Sequence, residues 1–238
     1  MAETIQTPKS TTPRVHEVRE LTSTTYVLRF DRNGMEFAPG QYVSVGLKGD
    51  INMREYSIYS PVEADYLEIL VREVDEGYVS RLLRGLRPGD ELEVDGPFGF
   101  FLIDEKARGR RFLFIATGTG ISPFHCLTGS YPDLDYELVH GVRTGEERYE
   151  HAWYDRSRVT SCLSRDPDEV ARAGSCDDGA PEHAKVVAGR VTEYLRDHPV
   201  DPDTLCYLCG NCDMIYEAFD ILKSHGVAPE QLYAEVYF

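Results

Sequence analysis

Between residue 14 and about residue 104, apolar and polar positions alternate in six short runs: RVHEVRE, TYVLRFD, QYVSVGL, REYSIYS, YLEILVREV and ELEVDG. A period of two sends successive side chains to opposite faces, so each run predicts a half-buried strand. Turn residues separate the runs at Asn33-Gly34, Pro39-Gly40, Lys48-Gly49-Asp50 and Pro88-Gly89-Asp90. Six strands so closely spaced predict a small antiparallel barrel, interrupted by one short helix over residues 78–86. Ahead of it, residues 1–13 are polar, rich in Thr and hold Pro8 and Pro13, and read as a flexible tail.

After the charged stretch EKARGRR at 105–111 the pattern changes. RFLFIA, YELVHGV, RVTSCL and LCYLCG are nearly continuous apolar runs, as expected for parallel strands buried on both faces. Helical patterns over 122–130, 190–197 and 213–224 lie between them, so the second part predicts a doubly wound α/β domain with a parallel sheet. Residues 166–185 carry Gly, Pro and six acidic side chains and read as an exposed insertion. The expected organisation is a tail at 1–13, a barrel domain at 14–104 and an α/β domain at 105–238.

Hydrophobic residues at 42% and charged residues at 28% are ordinary for a packed globular chain, which excludes collagen-like and disordered classes. Forty-one acidic against 25 basic residues leave a formal charge of -16, which disfavours nucleic acid and anionic membranes as partners. No apolar run is long enough to span a membrane and the first residues lack a signal-peptide pattern, so a cytoplasmic location is expected. Arg outnumbers Lys twenty to five, and with the acidic excess this suggests a surface suited to concentrated salt, where self-repulsion is screened. Six cysteines in such a chain read as free thiols, catalytic groups or metal ligands rather than disulfides.

The chemistry-bearing residues come in short motifs. Ala116-Thr-Gly-Thr-Gly-Ile-Ser-Pro123 follows a predicted strand and opens a predicted helix. Gly118 and Gly120 there would let backbone N–H groups approach a phosphate. Arg54 and Tyr56 alternate on a predicted strand with Glu55 and Ser57, pairing a phosphate-binding fork with a flat ring. Gly77-Tyr-Val-Ser80 opens the barrel's helix. Cys206, Cys209 and Cys212 are spaced like part of an iron–sulfur ligand set, but no fourth Cys followed by Pro lies downstream, and a buried strand would turn alternate residues apart. The seven histidines show no metal-ligand spacing, and no metal site is expected.

Taken together, RxYS at 54–57, GxVS at 77–80, GPFGFF at 96–101, GTGISP at 118–123, YLCGNCDMI at 207–215 and the terminal AEVYF resemble the ferredoxin–NADP reductase family, in family order from about residue 14 to residue 238. The resemblance implies FAD and NADPH as cofactors, ferredoxin or flavodoxin as partner, and a bacterial-type reductase acting as monomer or homodimer. It implies that Arg54 holds the flavin phosphate, Tyr56 lies against the flavin, and Ser57 sits near its reactive nitrogen. Gly77, Val79 and Ser80 would meet the FAD pyrophosphate, and Gly118, Thr119 and Gly120 that of the nicotinamide nucleotide. Cys209 and Gly210 would lie beside the nicotinamide, Tyr237 would cover the flavin face, Glu235 would relay protons, and Phe238 would stack on adenine. Arg143, Ser164, Arg165 and Arg190 resemble residues that select NADPH. Arg81, Arg84, Arg87, Arg108, Arg110 and Arg111 form either a docking face for an acidic carrier or plain solvated surface. Two alternatives share the fold: a reductase coupled to a flavin or an oxygenase, and an electron-relay subunit with a cluster on the three cysteines.

Overall fold

The computed structural model describes residues 12–74, 76–175 and 185–237. The first part forms β1 (Val15–Glu20), β2 (Thr25–Asp31), β3 (Tyr42–Leu47), β4 (Met53–Ser57), β5 (Tyr66–Arg72), helix α1 (Tyr78–Arg84) and β6 (Leu92–Phe98). All six expected strands are present, but they pair as two three-stranded antiparallel sheets, β1-β2-β5 and β4-β3-β6. Only single bridges, Arg14 to Glu91 and Ile58 to Ile69, join the sheets, so no continuous ladder closes a six-stranded barrel among the described residues. Their inner faces meet in one core built on Tyr26, Leu28, Phe30, Val45, Ile69 and Leu83. Helix α1 buries Val79, Ser80 and Leu83 and ends at Arg84, two residues before the expected 86, because Pro88 and Gly89 begin a turn.

The second part contains β7 (Arg111–Thr117), α2 (Ser122–Ser130), β8 (Asp135–Val142), β9 (Val159–Leu163), α3 (Pro167–Ser175), β10 (Lys185–Ala188), α4 (Val191–Asp197), β11 (Leu205–Asn211), α5 (Cys212–Ser224) and β12 (Leu232–Tyr237). The strands form one parallel sheet in the order β10-β9-β8-β7-β11-β12. Side chains alternate across it: Phe112, Phe114 and Ala116 pack toward the first part, and Leu113 and Ile115 pack under α4 and α5. The expected exposed insertion is partly a helix. Asp166 accepts from the Glu169 and Gly145 amides, and Asp168 and Glu169 sit in the first turn of α3, where acidic charge suits the helix dipole. Residues 176–184, including Cys176, the tail up to residue 11, and Phe238 lie outside the described residues.

The chain runs outward through β7, β8, β9 and β10, then returns to the other side of β7 as β11. This reversal of strand order puts the carboxyl ends of β7 and β11 beside each other, with a crevice outside those strand ends. The two parts are held together by packing and polar contacts. The rings of Tyr59 and His125 stack at 3.7 Å, His125 Nδ1 lies 2.8 Å from the Tyr59 carbonyl, and Arg19 pairs with Glu150.

Candidate functional site

A cleft of about 1510 Å³ runs from β4 and α1, across the carboxyl ends of β7 and β11, to the ends of β8, β9 and β10. Its middle is assembled by strand register. On β12, Glu235 and Tyr237 are two residues apart and share a face, and Glu235 sits opposite Cys209 of β11. Ser57, the last residue of β4 and 2% exposed, meets them from the other part of the molecule. Tyr237 Oη donates to Ser57 Oγ at 2.6 Å, Ser57 Oγ donates to Glu235 Oε2 at 2.8 Å, and Cys209 Sγ lies 4.0 Å from the same carboxylate oxygen.

Burial governs the protonation of this group. It raises the Glu235 carboxyl above the ordinary range, Glu55 adds to the rise, and the hydrogen bond from Ser57 opposes it. Burial, helped by Glu235, also pushes Cys209 well up, and burial with Cys209 and Glu235 does the same to Tyr237. A neutral thiol and a neutral phenol therefore flank one carboxyl that holds its proton toward higher pH than in water.

At the β4 end, Arg54 is exposed and Tyr56 packs partly into the first core, with burial raising its phenol to about 12. Gly77 begins α1, where a Cβ would come within 2.7 Å of Ser80 Oγ, and the Ser80 hydroxyl accepts from the Val74 amide at 3.3 Å. In the crevice, Gly118 has φ +53 and lines the cleft beside Thr117 and Thr119. The loops after β7 and β11 touch backbone to backbone. A Cβ at Gly120 would strike the Cys209 carbonyl, one at Gly210 would strike Thr117, and the Asn211 amide donates to Thr117 Oγ1 at 2.9 Å.

At the far end, Arg165 and Arg190 are exposed and have no ion-pair partner among the described residues. Ser164 Oγ donates to the Val142 carbonyl at 3.3 Å. Arg143 also lines the cleft, yet its guanidinium is engaged by Glu147, Nε to Oε1 at 2.8 Å, so it is largely neutralised. The expected docking arginines are also mostly engaged. Arg84 donates to Glu20, Glu73 and the Ser23 carbonyl, Arg111 pairs with Glu137, Arg110 donates to the Asp203 carbonyl, and Arg108 lies over the Tyr131 ring.

Cys206 and Cys209 are three residues apart on β11 and face opposite cores, which separates the spaced thiols into two environments. The histidines, by contrast, are not all isolated: His140 and His151 touch, at 2.8 Å between His140 Nδ1 and His151 Nε2. They are eleven positions apart in sequence, a spacing that matches no periodicity, so only the HGV that ends β8 could have drawn attention to His140.

Known proteins resemble most of the chain. The model for an oxidoreductase FAD-binding domain matches residues 13–103. The ferredoxin–NADP reductase of Pseudomonas aeruginosa is 31% identical over 235 residues, covering 91% of this chain and 90% of that protein. The toluate 1,2-dioxygenase electron transfer component of Pseudomonas putida is 26% identical across 94% of this chain, which spans 66% of that protein's length. Among solved structures, a ferredoxin NADP+ reductase from Neisseria gonorrhoeae with bound FAD and NADP superposes with a TM-score of 0.80 at 22% identity, covering 96% of this chain and 98% of that one.

Proposed function

This chain belongs to the ferredoxin–NADP reductase family of FAD- and NADP(H)-dependent oxidoreductases, and from that premise we propose that it exchanges electrons between NADPH and ferredoxin or flavodoxin. One observation carries the reading: a single cleft joins Arg54 and α1 at one end to Arg165 and Arg190 at the other, with Ser57, Cys209, Glu235 and Tyr237 meeting between them.

The residues fit both cofactors. The cleft exceeds the roughly 300–1,000 Å³ of an ordinary small-molecule pocket; Gly118 and Gly210 line it without side chains, and Gly120 lets the loop after β7 pack against the Cys209 carbonyl. In this reading the two small sheets work together as the flavin-holding barrel of residues 14–104, and residues 105–238 hold the nicotinamide nucleotide. Arg54 would bind the flavin phosphate as a charged fork, Tyr56 would offer its ring face, and Gly77, Val79 and Ser80 would lie along the FAD pyrophosphate. Gly118, Thr119 and Gly120 would receive the second pyrophosphate, with Gly210 beside the nicotinamide. Arg165 and Arg190 would select the 2'-phosphate, with Ser164 beside them and Arg143 contributing less because of Glu147.

Bound FAD supplies hydride exchange with the nicotinamide and single-electron exchange with the carrier. The protein's own groups set position and protons. Burial makes the Glu235 carboxyl beside Ser57 Oγ easier to protonate, and the Ser57 hydroxyl links that carboxyl to Tyr237. Cys209 stays a thiol, so no negative charge develops there. Tyr237 occupies the space over Ser57, so its ring must swing away before a second ring can lie there, which makes it a gate.

The similarity to a dioxygenase electron transfer component favours a second reading, a reductase serving an oxygenase. The test begins with the visible spectrum, followed by anaerobic titration with NADPH and with NADH. Flavin bands bleached far more readily by NADPH are expected, with catalytic reduction of ferredoxin or flavodoxin. Preference for NADH, or reduction of an oxygenase's cluster protein alone, would replace the first reading by the second.

A further inference from the structure

Behind the Gly118–Gly120 turn, three polar side chains that do not line the cleft form a hydrogen-bonded row. His140 Nε2 lies 2.8 Å from the Gly118 carbonyl oxygen, His140 Nδ1 lies 2.8 Å from His151 Nε2, and His151 Nδ1 lies 3.3 Å from Ser161 Oγ. His140 and Ser161 are both fully buried. A carbonyl can only accept, so His140 Nε2 carries the proton. In a neutral ring Nδ1 then accepts, His151 Nε2 must donate to it, and His151 Nδ1 is left to accept from the Ser161 hydroxyl. Each tautomer is dictated by its neighbour.

The surroundings keep both rings neutral. His140 faces Glu147 and the Tyr149 ring, and burial outweighs the pull of Gly118 and Glu147 and lowers it to about 4. His151 faces Arg148 and the Tyr154 ring, and burial with His140 and Arg148 lowers it to about 2.

The Gly118–Thr119 peptide is a rigid plane whose C=O and N–H point to opposite sides. With the Gly118 oxygen held on His140, the Thr119 N–H must face the other way, and Thr119 lines the cleft. Gly118 opens the 3-10 turn Gly118–Ile121 with φ +53, a region that favours glycine, and the bond to His140 adds to that turn in fixing which way this plane faces. We propose that His140, His151 and Ser161 are positioning residues that hold this peptide so that its N–H, rather than its carbonyl, meets the diphosphate of the nicotinamide nucleotide. The inference rests on the placement of that diphosphate argued above.

The test uses the FAD-loaded protein. Imidazole 15N spectra should show Nε2–H on both histidines, unchanged from about pH 5 to 8. Calorimetry should show that His140→Leu and His151→Phe weaken NADP+ about tenfold, the loss of one hydrogen bond. Adenosine 2'-phosphate, which has no diphosphate, should change by less than about twofold. His140→Gln, which can still donate an N–H to Gly118, should recover most of the affinity. An Nδ1–H tautomer at His140, or equal losses for both ligands, would overturn the proposal. The Thr119 amide signal tests the underlying reading separately: if NADP+ does not shift it in the wild type, the diphosphate is not at this turn. A shift combined with unaltered binding by the variants rejects the histidine row alone.

Discussion

In the middle of the cleft buried Ser57 and Cys209 meet half-buried Glu235 and Tyr237, in polar contact with one another across the meeting of two sheets, whereas Arg165 and Arg190 stand in water on loops after β9 and β10 with no partner of opposite charge among the described residues. In the first region position comes from strand register, and burial sets the protonation of each group. In the second, full charges act through a high dielectric and are exposed to salt screening. In the proposed function the chemistry is thus placed where geometry is stiff, and the choice of nucleotide where charge is easily tuned.

Acid should act on the buried side of this contrast most strongly. His125, His140 and His151 are held by burial to about 4, about 4 and about 2, while unfolded imidazoles take up protons near pH 6.5. Below that pH the unfolded chain binds more protons than the folded one, so stability falls as pH falls. Each histidine contributes up to about 1.4 kcal/mol per pH unit until its folded pKa is reached. Urea midpoints at pH 7 and pH 5 measure the loss, and a flat profile would show that water reaches these rings.

Next in size is the contact between the two crevice loops. Gly120→Ala drives a Cβ into the Cys209 carbonyl, which is backbone and cannot step aside, so a loss of about 3 kcal/mol or more is expected. Wild-type stability in this variant would mean that the loops do not hold the middle of the cleft rigid. For the exposed end, removing Arg165 or Arg190 deletes a charge-assisted phosphate contact of about 1.5–3 kcal/mol, raising the NADPH Kd roughly tenfold to a hundredfold. NADH binding should stay as it is, and equal losses for both nucleotides would break the assignment of these arginines to the 2'-phosphate.

Smaller still, Tyr237→Ser removes the ring and its hydrogen bond to Ser57 and should tighten nicotinamide binding by several-fold while relaxing the preference for NADPH. Unchanged constants for both nucleotides would remove the gate. Salt sharpens the contrast with opposite signs in one protein. From about 0.1 to 1 M the Debye length shrinks from ~10 to ~3 Å, so the NADPH KM should rise modestly. The melting temperature should also rise, as self-repulsion at charge -16 is screened. A stability optimum at low salt would reject the high-salt reading of the composition.

Much of this was legible before folding because it is local. The six strands of the first part followed from alternation, and Ser57, Gly118, Gly120, Cys209 and Tyr237 stood out because short motifs mark them. What escaped depends on neighbours distant in sequence or hidden in turns. Glu147 engages Arg143 across a 3-10 turn, Glu20 and Glu73 engage Arg84, and Asp166 caps the helix in a stretch whose composition reads as loop. The histidine row was invisible for the same reason, since two rings eleven residues apart, one on β8 and one on a 3-10 turn, share no period.

From the chain alone came the change of hydrophobic period near residue 105, the glycine turns and the candidate site side chains, all set by rotamer, φ and burial preferences within a few residues. Only the tertiary structure decided that the six strands pair as two sheets, that Ser57 meets Glu235 and Tyr237 across 178 and 180 residues, and which arginines are engaged by carboxylates among the described residues. Those outcomes depend on how sheets pack and where strand order reverses. Such long-range contacts are settled by the sum of the packing, and no short stretch of sequence encodes them.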